Sequence, residues 1–289
     1  MLSRITDIAI SETTRAATQF WHSVWQPGWQ NYLYVLVGLS LFFWLLEILI
    51  PWRRNQSIFR KDFWLDGFYM FFNLFIFPIL GFAAAAAIVE FLFLKLSGVV
   101  GVSDLTLFDL SDASPWILFP VLFILRDFIQ WNVHVLLHRI PVLWEFHKVH
   151  HSVEQMGFAA HLRYHWMENI VYRMFEYIPL HIIGFGATDF FYVYAFTLAI
   201  GHFNHSNIKI PLGPLKYILN NPQMHIWHHA RELPGKYGVN FGITLSVWDY
   251  IFRTAYIPHN GRDISIGYDG MELEMPSGFG GQLIFPFYK

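Results

Sequence analysis

The chain contains no cysteine, and that absence removes disulfides, thiolate zinc sites and iron–sulfur clusters from consideration. Charge is scarce as well: Asp, Glu, Lys and Arg make up only 14% of the 289 residues, against roughly 25% in an ordinary soluble domain. With a formal net charge of −2 there is no basic field to draw nucleic acid. The first twenty residues lack the charged-then-apolar pattern of a cleaved secretory peptide. GFGA (184–187) and GFGG (278–281) lack the strand–helix setting of a dinucleotide loop, and no flavin, nicotinamide or haem module is recognisable. No internal repeat of 20–50 residues is present.

What is abundant is apolar and aromatic. Hydrophobic residues reach 55%, with 30 Phe, 14 Tyr and 12 Trp. Residues 32–52 are long enough to cross a bilayer, with Glu47 the one charge inside and Trp44 and Trp52 suited to an interface. The run from Phe68 to Leu96 is nearly continuous, and Pro78 and Gly81 predict a kink or a division into two short spans. A third run, Trp116 to Leu137, is apolar for ten residues and then carries Arg126 and Asp127, read as an ion pair within or at the edge of the membrane. A fourth, Ile170 to Ile200, is broken by Pro179 and Gly184–Gly186 and reads as a helical hairpin. The expected fold is all-α: an integral membrane helical bundle of about four to five spans. Arg53, Arg54, Arg60 and Lys61 follow the first span, whereas Asp104, Asp109 and Asp112 occupy the loop 97–115. This asymmetry predicts a cytoplasmic location for the segments after the third span. Membrane-anchoring helices over 1–115, a catalytic domain over 116–258 and a Gly/Pro-containing arm over 259–289 complete the expected organisation.

Histidine is the odd component. Of 15 residues, only His22 and His259 fall outside 134–229; these two and His181 read as structural. His134-x-x-x-His138 ends the third span, and i, i+4 positions share a helical face. His147-x-x-His150-His151 and His225-x-x-His228-His229 each place three imidazoles at i, i+3, i+4. His202-x-x-His205 adds a pair. Buried imidazoles in this number need partners, and one ion takes about four of them, so ten would serve two ions within a di-metal cap on the cytoplasmic side. His161 and His165 are assigned roles beside the ions or at the substrate. Asn240 and Asp249 are candidate acceptors for imidazole N–H groups, as is Asp127 for bracing the site. Trp144 and Trp227 read as packing.

Imidazole suits Zn, Cu, Fe and Ni. The zinc-protease pattern H-E-x-x-H is absent, with Val135 and Lys148 where its Glu would stand, and so is the E-x-x-H of soluble di-iron bundles. Without a general-base carboxylate in the motifs, redox chemistry at two iron ions is the better reading. Since only neutral imidazole binds, metal binding should fail below about pH 6.5.

HVLLH (134–138), HKVHH (147–151) and HIWHH (225–229) resemble the three histidine boxes of the fatty acid hydroxylase / sterol desaturase superfamily of membrane di-iron enzymes. The context HRIPVLWEFHKVHHS (138–152), RYHWME (163–168), NHSNIKIPLGPLKYILNNPQMHIWHH (204–229) and YGVNFGITLSVWDYIFRTAYIP (237–258) is similar as well, with likeness to sterol-desaturase-like proteins and the alkylglycerol monooxygenase branch. One departure is Trp166, where members often carry proline. The resemblance covers roughly 118–258. It implies O2-dependent hydroxylation or desaturation of a lipid or sterol C–H bond, with the boxes and His205 as ligands; His202 rests on spacing alone. Electrons would come from a separate cytoplasmic donor, a ferredoxin or cytochrome with its reductase. The expected location is a bacterial inner membrane, or the endoplasmic reticulum in a eukaryote. Two rival readings are a membrane metal-binding or transport protein, which would place ligands near the bilayer midplane, and a zinc-dependent lipid hydrolase, for which Glu145 and Glu168 are the nearby carboxylates.

Overall fold

A computed structural model of the chain describes residues 2–99, 107–110, 112–185, 187–233 and 235–288. Asp104, Gly186 and the side chain of His181 lie outside the description. Among the described residues the structure is helical, with isolated β-bridges and no strand.

Helix α1 (Leu2–Trp25) packs on α4 (Ala83–Val99). Helix α2 (Tyr32–Leu49) starts at Asn31, whose side chain accepts from Leu33 N. At 1.5 Å per residue its 18 residues span about 27 Å, close to the hydrocarbon thickness. It buries Leu33, Leu36 and Phe43 and exposes Val37, Leu41, Leu45 and Ile48, as a helix facing lipid does. Glu47, its one charge, accepts from Phe158 N (2.8 Å) and Asn207 N (2.7 Å), so the carboxylate ties down two loops.

The second apolar run is helical from α3 (Phe63–Phe71) through two π-helical turns into α4, bent by 42° where Pro78 lacks an N–H and Gly81 takes φ 118°. Helix α5 (Pro115–Arg139) is the third run, and its outer half exposes Trp116, Ile117, Val121 and Ile124. Among the described residues, two helices are long and apolar enough to cross a membrane, or three if the bent pair counts as one span. This is fewer than the four to five expected. The hairpin is the difference. Helix α7 (Trp166–Tyr172) runs through a π turn (Arg173–Tyr177) into α8 (Ile178–Ile183), which stops near Gly184 at φ 122°, and α9 (Ala187–His205) ends in polar residues.

Arg126 and Asp127 do not pair with each other. Consecutive helical residues point about 100° apart, and each finds a different partner. Arg126 Nε donates to Glu176 (2.8 Å) and a second guanidinium nitrogen to Thr197 (3.1 Å). Asp127 accepts from Thr244 N, Leu245 N and Trp248 Nε1. The C-terminal residues, including α12 (Met271–Glu274) and α13 (Phe279–Ile284), lie over α3 and α6 (Pro141–His151), where Phe285 packs with Tyr69 and Val149.

Candidate metal centre

Four segments bring the imidazoles together. The last turns of α5 supply His134 and His138. The chain reverses at Ile140, and Pro141 opens α6, which carries His147, His150 and His151. Helix α9 ends on His205. Asn221 caps α10 (Pro222–His228) by accepting from Met224 N, and α10 delivers His225, His228 and the adjoining His229. All nine side chains are buried.

They form two groups, within each of which the ligand atoms lie within 4.8 Å of one another: His134, His138, His147, His151 and His228 in the first, His150, His205, His225 and His229 in the second. Each H-x-x-H-H box is divided between them. The i, i+4 pair of α6 goes to the first group and His150 to the second; the i, i+4 pair of α10 goes to the second and His228 to the first. The groups adjoin, with His151 and His229 ring centroids 4.4 Å apart.

Backbone and carboxylate acceptors orient the rings. The Nδ1 of His134 lies 2.7 Å from Phe241 O, that of His150 3.0 Å from Arg163 O, that of His205 2.9 Å from Gly201 O and that of His228 2.9 Å from Val239 O. His147 Nδ1 lies 3.0 Å from Glu168 Oε2. A carbonyl oxygen accepts and never donates, so His134, His150, His205 and His228 carry the proton on Nδ1 and turn an Nε2 lone pair inward, while His147 meets a carboxyl oxygen through which it can hold the same tautomer.

Those lone pairs test whether metal fits. His150 Nε2 faces His205 Nε2 at 3.3 Å, and both rings have their Nδ1 proton on a carbonyl. Two acceptors at such a distance repel unless something electron-poor lies between them. Two nitrogens each about 2.1 Å from one ion sit about 3.0 Å apart at a right angle and about 3.4 Å apart at a tetrahedral angle, which brackets this spacing; the Nε2 atoms of His134 and His147 (3.2 Å) and of His151 and His228 (3.1 Å) fall in the same range, and those of His205 and His225 (2.9 Å) just below it. His138 Nε2 is buried without any partner, an arrangement a bound cation would relieve. The donor set fits metal ions. Burial, with the neighbouring imidazoles second, holds His147, His151, His225, His228 and His229 well below the ordinary histidine range, and burial brings His150 down to about 3. They are neutral at pH 7, the form that binds metal.

The remaining candidates fall elsewhere. His202 stands outside both groups, with Nε2 3.1 Å from Ser40 Oγ and Nδ1 3.1 Å from His161 Nδ1. His161 borders the second group, its ring 5.3 Å from that of His205. His165 has both nitrogens occupied by backbone: Nδ1 caps α7 at Met167 N, and Nε2 donates to Leu283 O of the C-terminal arm. Asn240 and Asp249 accept no imidazole N–H. Asn240 bonds Met224 O, Tyr256 O and Tyr256 N, and Asp249 accepts from Phe241 N, Gly242 N, Trp131 and Thr254. They hold the 239–242 loop, whose carbonyls of Val239 and Phe241 are the true acceptors. Backbone acceptors leave no mark in side-chain identity, which is why sequence reasoning chose the nearest polar side chains instead. Asp127 anchors the same loop from α5 at residues 244–245. Two contributors were missed. Glu168 holds His147, and burial pushes its carboxyl up to about 8; an acid just ahead of an apolar run was the available signal. Arg163, 2% exposed, bonds Asp62, Asp66 and Ser152 and so fixes the carbonyl that receives His150.

A cavity of about 370 Å³ lies against both groups. Three helical stripes at i, i+4, i+8 line it. Along α5 run Arg126, Gln130 and His134; from α7 into the π turn run Glu168, Tyr172 and Glu176; along α9 run Thr197, Gly201 and His205. Its histidine end is His134 and His205. Its other end is the mutually bonded Arg126, Glu176 and Thr197.

Fold and site together define a helical membrane protein with two adjoining all-imidazole groups, each able to hold a metal ion, at the end of an apolar bundle. The family model described as Fatty acid hydroxylase matches residues 119–254, which carry every histidine of both groups. Among similar proteins, ornithine lipid hydroxylase OlsE of Rhizobium tropici is 31% identical over 166 residues, 57% of this chain and 49% of its own length. Alkylglycerol monooxygenase of Xenopus tropicalis is 31% identical over 156 residues (54% of this chain, 34% of that protein), and the Homo sapiens enzyme 32% over 151 (51% and 32%). The chain thus spans about half the length of the first relative and about a third of the other two. No solved structure matches significantly.

Proposed function

We propose that the protein is a membrane-bound non-haem di-iron oxygenase that hydroxylates or desaturates a C–H bond of a lipid or sterol, using O2 and two reducing equivalents from a separate cytoplasmic electron carrier. One observation carries this reading: nine neutral imidazoles form two adjoining groups, and five of them, His134, His147, His150, His205 and His225, line a cavity walled by apolar helices. The names of the relatives, a lipid hydroxylase and monooxygenases, point the same way.

His134, His138, His147, His151 and His228 would hold one ion, and His150, His205, His225 and His229 the other. Two iron ions there would supply O2 activation. The chain's own residues do the rest. Phe241 O, Val239 O, Gly201 O, Arg163 O and Glu168 keep the Nδ1 protons in place so that Nε2 remains a ligand. The buried cavity excludes water and orients one carbon of the lipid toward the histidine end. His134 and His138 occupy the last two turns of α5 and the other histidines come after it, so the groups lie at the end of this helix and not at its middle, which speaks against a transporter with ligands at the midplane.

The hydrolase reading has one observation in its favour: Glu168 lines the cavity and its Oε1 has no partner. Its other oxygen, however, is engaged by His147, and Glu145 pairs with Lys148. Metal analysis of the full chain purified under reducing conditions separates the two. Two irons per chain with O2- and reductant-dependent change in a lipid extract is the expected result; full lipid hydrolysis with zinc and without O2 would refute the proposal.

A further inference from the structure

Two residues of the cavity wall each carry a buried hydrogen-bond acceptor that the protein itself does not satisfy. Gln130 Nε2 donates to Glu176 Oε2 (2.8 Å), and Asn204 Nδ2 donates to Ile243 O (2.6 Å). Each amide nitrogen is held by an oxygen, so neither side chain can flip, and the amide oxygen is the atom left over. Gln130 Oε1 and Asn204 Oδ1 are buried without a partner, in residues 8% and 2% exposed, and both residues line the cavity. The carboxylate of Glu176 is already occupied by Arg126, Gln130 and Tyr194, so it fixes Gln130 rather than competing for a ligand.

A hydrocarbon laid against these oxygens would leave both unpaired, at a cost that a ligand carrying O–H or N–H avoids. Gln130 lies one helical turn from His134, about 6 Å along α5, so a donor bonded to it sits close to the histidine end. We infer that Gln130 is a specificity-determining residue: its amide oxygen accepts a hydrogen bond from a hydroxyl or amide N–H that the lipid carries near the carbon to be oxidised. Asn204 offers a second acceptor to the same polar group. This rests on the reading that the cavity takes a lipid, and it adds that the lipid is not a bare chain at that depth.

The test is binding, which needs neither O2 nor reductant. Full-length protein as purified, in nanodiscs, is titrated with tritiated hexadecan-1-ol, N-methylhexadecanamide and 1-methoxyhexadecane, read by scintillation proximity. The first two carry an O–H and an N–H, and the ether carries oxygen without a donor. At least one donor probe should bind saturably and roughly tenfold tighter than the ether, the size of one net hydrogen bond at its upper range. Which donor wins identifies the source. Gln130→Met should abolish the preference while leaving the metal content unchanged. Equal affinity for donor and ether probes, no saturable binding of either donor, or a preference that survives in Gln130→Met overturns the inference. The wild-type comparison stands even if the variant does not fold. No donor preference in the wild-type protein alongside intact O2-dependent lipid oxidation sinks this inference alone, whereas a firm wild-type preference without any oxidation sinks the proposed function alone.

Discussion

Glu168 offers the sharpest test of how the centre is held. It is 3% exposed, and its Oε2 receives the Nδ1–H of His147 at 3.0 Å. Replacing it with Leu removes the acceptor while keeping the volume apolar, so His147 is left with a buried, unpaired N–H. That penalty is about 1–3 kcal/mol. It can be relieved by turning the ring or moving the proton to Nε2, and either change withdraws the lone pair from the first group. At 1.4 kcal/mol per tenfold, ion affinity should fall about 5- to 150-fold, in keeping with the 10–100-fold usual for a residue that orients a metal-bound histidine. The effect should be confined to one ion, because the second group takes its α6 ligand from His150, whose proton goes to Arg163 O. Glu168→Gln retains an acceptor oxygen and should recover most of the affinity. Competition with a calibrated chelator, following metal per chain, measures both affinities. A Glu168→Leu protein that keeps two ions with unchanged affinities, or loses both equally, would refute the assignment.

Two further outcomes follow from the geometry. A Cβ on Gly201 would lie 2.1 Å from the His161 ring, so Gly201→Ala must displace that ring; thermal unfolding in detergent should show a loss of about 1–3 kcal/mol, and an unchanged midpoint would show that His161 moves freely. In the metal-free protein the imidazoles of His147, His150, His151, His225, His228 and His229 are held below the ordinary range, so the unfolded chain binds more protons than the folded one once the pH drops under about 6.5. Their contribution is therefore present above pH 6.5 and is lost progressively as pH falls toward the folded values, each group costing up to about 1.4 kcal/mol per pH unit; denaturant titrations of the metal-free chain at pH 7.5 and 5.5 giving equal stabilities would contradict this.

The helical class and the histidine boxes were legible because each rests on local information. Long apolar runs fix helix and membrane character, and i, i+3, i+4 spacing fixes a shared helical face. Arg126 and Asp127 show where local reading stops. Adjacent in sequence, they looked like a pair, yet their helical directions sent one to Glu176, 50 residues on, and the other to the 244–248 loop. The span count failed for a related reason. Apolar composition from 170 to 200 does not reveal that α8 ends after six residues. His202 matched the ligand spacing, but on α9 its ring turns toward Ser40 and His161 instead.

The division of the two boxes bears on why the proposed centre would be dinuclear rather than two separate sites. Three imidazoles at i, i+3 and i+4 occupy one face of a helix, a spacing compatible with a single ion, but their rings fan across that face. In α6 the outer pair, His147 and His151, converges on one side and His150 on the other; α10 meets it in the reverse sense, with His225 and His229 against His150 and His228 against His151. Each helix therefore grips both ion positions. Separating the positions would require unwinding α6 or α10, since no loop lies between His150 and His151 or between His228 and His229. The spacing between the two ions is thus set by the pitch of two short helices, and Pro141 and Pro222, each opening its helix at the first turn, fix where that pitch begins.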